Sequence, residues 1–151
     1  MSLHRVKVDW TLDGDFASRR YSRAHLVTFA EGVTVAGSAS TQVVSPPFAR
    51  ADAVDPEAAF TAALSACHML WFLDFAARGG FVVGAYLDQA EGTLAKGQDG
   101  IWRMTRVVLR PRIDFIGAAP SAAELEALHH QAHEACFIAN SVTTEVVVET
   151  P

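Results

Sequence analysis

The stretch between Asp55-Pro56-Glu57 and Gly79-Gly80 constrains this chain more than any other. Its opening is punctuated as a helix start. Asp55 can cap, Pro56 sits at the first helical position where its missing N–H costs nothing, and Glu57 complements the dipole. The two glycines should stop it. Between these limits Phe60, Leu64, Cys67, Trp71 and Phe75 recur at helical spacings of 4, 3, 4 and 4, which puts Cys67 in the middle of an apolar stripe. Ala62, Ala63, Ala66, Met69, Leu70 and Phe72 widen that stripe until the helix is apolar nearly all round. A helix of this kind must be covered on several sides, and 151 residues are few for the task. A sheet on one side and a second copy of the chain on the other would supply the cover.

The flanking segments read as extended chain. Residues 3–12 have strand-like spacing, broken at Asp13-Gly14-Asp15, and residues 24–29 and 33–37 make a hairpin around Glu31-Gly32. Residues 38–55, with Pro46-Pro47, read as a long loop. Beyond the helix, residues 81–95 and 101–115 are two long extended stretches around a turn at 96–100, a second hairpin. A second helix follows Pro120, with Ser121 and Glu124 in capping-box spacing and Leu125, Leu128, Ala132 and Cys136 on one face. Residues 141–149 form a last strand. The order is β-β-β-α-β-β-α-β, a single α+β domain over residues 1–151.

Composition narrows the function. Half the residues are apolar and 19% are charged, which excludes disorder, and twelve Lys+Arg against seventeen Asp+Glu leave a net charge of −5. Without a basic stripe, nucleic acid is not an expected partner. The start, MSLHRVKVDW, lacks the layout of a signal peptide, and no unbroken apolar run approaches the roughly 18 residues of a membrane span. A soluble cytoplasmic protein with no membrane partner is the expectation.

Two cysteines, Cys67 and Cys136, are therefore expected to stay reduced, and any pairing between them to be transient and chemical. Three readings stand side by side. Both cysteines can be small buried hydrophobes. A zinc site can be drawn from His129, His133 and Cys136 at i, i+4 and i+7 with Cys67-His68, although His129 and His130 read more naturally as solvated surface residues of the second helix. Thiol redox chemistry needs a thiolate activated by a cation and a second thiol to resolve it. Candidate cations are Arg19, Arg20, Arg23 and Arg50, and Glu57 could hold one in place. Glu57 and Cys67 are ten residues apart, about 15 Å along a helix, so a bridging arginine must come from another segment or another subunit. His25 and His133 read as structural, and His68 as buried and satisfied by a backbone group, with a place in a ligand pocket as the other option.

Asp55-Pro56-Glu57 followed after nine residues by Cys67, in DPEAAFTAALSACHM, with a second cysteine late in the chain before a final strand, resembles the OsmC/Ohr family of hydroperoxide-reducing proteins. The likeness spans nearly the whole chain. It implies an intertwined homodimer with N-terminal β-hairpin strands, a long buried central helix, a second hairpin, a second helix and a final strand. It further implies a cysteine-based peroxidase without cofactor or metal. Cys67 would attack an organic hydroperoxide, and hydrogen peroxide more weakly. Cys136 would resolve the sulfenic acid, and an external dithiol would reduce the disulfide. Glu57 would orient an arginine that lowers the Cys67 pKa and polarises the peroxide; Arg20, Arg23 and Arg50 compete for that place, and Arg23, in YSRAH, is favoured because strand residues are held more rigidly than loop residues. Two departures, His68 after Cys67 and Phe137 after Cys136, suit the alternative of a non-catalytic module that binds a small molecule or metal in a dimer-interface pocket.

Overall fold

Asp55 caps the long helix as its position requires: its Oδ1 accepts the Ala58 N–H at 2.7 Å. The helix, α1, spans Pro56–Arg78. It closes with the Phe81 N–H reaching back to the Ala76 carbonyl at 2.9 Å and with Gly80 at φ 80°, a left-handed terminus that glycine adopts without cost. The structure is a computed structural model that describes residues 1–150, an α+β chain whose strands form four small sheets among those residues. It divides into two compact units, Met1–Ala59 and the remainder from Phe60 onward, with α1 running out of the first and into the second.

In the first unit, β1 (Lys7–Asp9), β4 (His25–Thr28) and β5 (Thr34–Gly37) form an antiparallel sheet in the order β1-β4-β5. The expected hairpin at 24–37 is there. The expected first strand is shorter, and a two-residue pair it did not include, β2 (Gly14–Asp15) with β3 (Arg20–Tyr21), follows it. Trp10, Phe16 and Tyr21 pack on one another at this small hairpin, with Phe16 and Tyr21 stacked at 4.8 Å. Arg23 lies between β3 and β4, in a connection rather than in a strand.

The second unit corrects the long-hairpin reading. Each long stretch breaks once, giving β6 (Val82–Asp88) and β7 (Glu91–Lys96), then β8 (Trp102–Leu109) and β9 (Pro111–Ile116). β7 pairs with β8, and β6 with β9, in separate sheets. The break is held by a side chain: Asp88 Oδ1 accepts the Arg110 N–H at 2.6 Å, immediately before Pro111. β10 (Glu145–Val148) lies parallel to β8. α2 (Ala122–Ala135) starts at the expected Ser121/Glu124 capping box and ends with Cys136 as its C-cap.

Two clusters make the core of this unit. Phe72, Ala76, Leu128 and Ala132 join α1 to α2, with Tyr86, Ile113 and Phe115 against them, and Leu64, Val107 and Leu109 join α1 to β8. The buried stripe of α1 is Leu64, His68, Phe72 and Ala76, one residue round from the expected stripe. Cys67, Trp71 and Phe75 lie half-buried on its flank. α1 is long and apolar enough to cross a membrane by length and composition, yet only 22% of its most apolar 18-residue window is buried, and Leu70 is 62% exposed. Phe72 is fully buried and the largest such side chain. Phe72→Ala is expected to lower the unfolding free energy by about 3–5 kcal/mol in urea denaturation; a loss below about 1 kcal/mol would contradict the placement of this core.

Candidate thiol site

Cys136 is buried because α2 ends on it. The Cα–Cβ bond of a C-cap residue still follows the helix, and the chain then turns through Phe137 and Ile138 into a short 3-10 segment at Ala139–Ser141. The Ala139 N–H donates to Cys136 Sγ at 3.3 Å, and the Asn140 N–H to the Cys136 carbonyl at 3.0 Å. Cys67 lies close enough to raise the proton affinity of this thiol. The two cysteines, 69 positions apart, are thus brought together, both as free thiols.

Their environments differ. Burial, reinforced by the neighbouring Cys67 side chain, pushes the Cys136 thiol up to about 11, so it stays protonated at neutral pH. Cys67 is half-buried and reachable. Trp71, one turn further along α1, stacks on Phe75 at 5.6 Å and meets the exposed ring of Phe137 edge-on at 5.4 Å. One apolar groove, lined by Leu73, Ala77, Gly80, Phe81, Val82 and Val83, lies at the far end of α1 and offers no nucleophile or titratable group.

The histidines depart most from expectation. His129 is not a surface residue but is 5% exposed, and His68 is 1% exposed. His68 finds no backbone partner; its Nε2 and His129 Nδ1 share an N–H···N bond of 3.1 Å, with the rings nearly parallel. Only three-dimensional packing reveals this pair: residue type favoured the surface for His129, although its helical phase matches Leu125 and Ala132, and His68 was expected to bond a backbone group. Burial lowers both rings to about 4, opposed at His129 by Asp88 and helped at His68 by His129 and His133. No group of three or more His, Cys, Asp or Glu side chains arranged to hold a metal occurs among the described residues, so the four-ligand zinc arrangement does not assemble.

The remaining candidates belong to the first unit. Arg23 is anchored by its loop: its N–H donates to Phe48 at 2.8 Å, and its carbonyl accepts from His25 Nδ1 at 2.8 Å. Its guanidinium lies 3.9 Å over the Tyr21 ring and donates to the Tyr21 and Arg19 carbonyls. Glycine at 37, paired with His25 in the register, leaves room for that imidazole, which a Cβ there would strike. Arg50 is held by Asp52 in a two-pronged ion pair at 2.9 and 2.7 Å, and Arg20 is in β3. Glu57 is half-buried in the first turn of α1.

A family model described as OsmC-like protein matches residues 49–150. The chain belongs to the OsmC-like family. An OsmC-like protein of unknown function from Vibrio cholerae is 47% identical over the full length of both chains, with a TM-score of 0.97. Two further solved structures share the OsmC-like fold at low identity. An organic hydroperoxide resistance protein from Legionella pneumophila is 19% identical, covering 99% of this chain and 96% of its own, at TM-score 0.71. The organic hydroperoxide resistance protein OhrB of Bacillus subtilis is 18% identical, covering 97% and 98%, at TM-score 0.64. No curated protein matches the chain.

The buried imidazoles make the stability of this OsmC-like protein depend on pH. Both rings have lowered values in the fold, so between pH 6.5 and about 4 the unfolded chain binds protons that the folded chain refuses. Stability is therefore full above about pH 6.5 and falls as pH drops toward 4, by up to roughly 3 kcal/mol per ring. Urea midpoints at pH 7 and pH 4.5 measure the fall, and His129→Gln should reduce it; equal midpoints for the wild type would refute this account.

Proposed function

We propose that this chain, working as one domain over residues 1–151, is a thiol peroxidase for organic hydroperoxides that reacts more weakly with hydrogen peroxide. The observation that supports the reading is the pair of free thiols near enough to influence each other, one half-buried and one buried and protonated. In the first step the Cys67 thiolate attacks the distal peroxide oxygen. The O–O bond breaks, sulfur loses two electrons, and the departing alkoxide takes a proton and leaves as alcohol. Cys136 then attacks the sulfenic sulfur. The S–O bond breaks, the S–S bond forms, and the Cys136 proton leaves with the hydroxide as water. An external dithiol reduces the disulfide through a mixed disulfide. The elevated proton affinity of Cys136 suits this order, because a thiol that is protonated at rest does not compete for peroxide.

Arg23 is the proposed activating cation, oriented by Glu57; its guanidinium is held by neutral carbonyls, whereas the charge of Arg50 is paired with the Asp52 carboxylate, which supports the choice. The proposed protein is a soluble, cytoplasmic homodimer that needs no cofactor or metal. The support for a second copy is the apolar surface left open in one chain, including Leu70, Val82, Leu87, Trp102, Ile116 and Phe137. The Legionella and Bacillus proteins named for organic hydroperoxide resistance share this fold, which agrees with the reading.

Anaerobic addition of a single equivalent of t-butyl hydroperoxide to the reduced protein is expected to remove both thiols; two thiols remaining would favour the non-catalytic module and end the peroxidase reading. Cys67→Ser should lose peroxide consumption by at least about 100-fold. Arg23→Ala should lose at least about ten-fold, while Arg50→Ala leaves the rate close to wild type. The reverse ranking of the arginines would overturn the assignment of Arg23.

A further inference from the structure

The stacked imidazoles of His68 and His129 have no part in the two steps above, yet they occupy the centre of the unit's core. Whichever ring donates their shared hydrogen bond, one N–H and one lone pair are left over. His68 Nδ1 and His129 Nε2 are buried without partners. Each unsatisfied group costs about 1–3 kcal/mol, a cost that two leucines in the same space would avoid. What leucines could not supply is direction. Apolar packing tolerates small slides of one helix on another, whereas an N–H···N bond weakens steeply with misalignment.

The position of the pair gives that direction a use. His68 follows Cys67 on α1, and His129 precedes Cys136 by seven residues, two helical turns, so His129 and the C-cap thiol share one side of α2. The bond thus fixes the register of α2 on α1 close to where the two sulfurs meet. We propose that the His68–His129 pair is a positioning clamp that keeps Cys136 within reach of Cys67, so that the disulfide closes before a second peroxide arrives. This rests on the peroxidase reading. Without the clamp, the Cys67 sulfenic acid would persist and react with a second hydroperoxide, whose O–O bond breaks to leave a sulfinic acid and an alcohol.

The groups around the pair leave the clamp sensitive to acid. His133 faces it from α2 and Asp88 from β6, while the Phe72 ring stacks on His129 and is itself packed against Tyr86. Asp88 is itself committed to Ser65 Oγ at 2.5 Å and to the Arg110 N–H. A second proton on the pair replaces the N–H···N bond with two donors facing each other.

The test exposes reduced wild type and the His68→Leu/His129→Leu variant to an excess of t-butyl hydroperoxide and resolves disulfide from sulfinic Cys67 by mass spectrometry. The variant is expected to lose its Cys67 thiol as the wild type does, but to raise the sulfinic-to-disulfide ratio about ten-fold, as expected when a reacting group is misplaced by around 1 Å. An unchanged ratio in the folded variant overturns the clamp while leaving the peroxidase reading intact. Intact thiols in the wild type would instead overturn that reading. Should the leucine variant fail to fold by circular dichroism, His129→Gln decides. Its amide keeps a donor and an acceptor but takes no proton, so its ratio should stay within about two-fold of wild type at pH 7 and change less than wild type toward pH 4.5. Identical pH profiles overturn the clamp.

Discussion

The side-chain packing of α2 against α1 is the contact on which the proposed thiol site depends. Phe72 and Ala76 of α1 form one buried cluster with Leu128 and Ala132 of α2. Leu128 and the His129 ring, stacked on Phe72 at 4.6 Å, complete the contact. Cys67 lies five residues before Phe72 on one helix and Cys136 four after Ala132 on the other, so packing that is apolar at its centre carries the two cysteines of the proposed site at its edge. The edge is then secured locally, by the Ala139 N–H on Cys136 Sγ. The proposed site is thus tied to the packing of the core.

The parts of the fold written in short-range chemistry were legible from the residues. Asp55 and the Ser121/Glu124 box fix helix starts through hydrogen bonds spanning three residues, and Gly80 ends a helix through its own backbone. The phase of α1 was not legible in this way. Periodicity locates a buried face only by contrast with a polar one, and a helix apolar nearly all round supplies little contrast. Leu64, His68, Phe72 and Ala76 won the interior because they face α2 and β8, and His68, expected there with a backbone partner, finds the His129 ring instead. The break in the long strands depends on Asp88 reaching across 22 positions to the Arg110 N–H, a tertiary contact with no local signature. The same holds for the cysteines. Their separation along the chain carries no geometry, and only the likeness of the Asp55-Pro56-Glu57-to-Cys67 spacing to a known family pointed to a partnership.

The burial asymmetry between the two sulfurs follows from the same offset in phase. Had the expected stripe been the buried one, Cys67 would have been as enclosed as Cys136, and a peroxide could not have reached it without opening the core. With the stripe turned by one residue, Cys67 moves to the flank, together with Trp71 and Phe75, while Cys136 stays inside. Whatever covers that apolar flank therefore also forms the walls of the approach to Cys67. On the proposed chemistry this accounts for a preference for organic hydroperoxides: an alkyl or aryl group sheds water against Trp71, Phe75 and Phe137 as its peroxide reaches the sulfur, and hydrogen peroxide has no apolar body with which to gain from that burial.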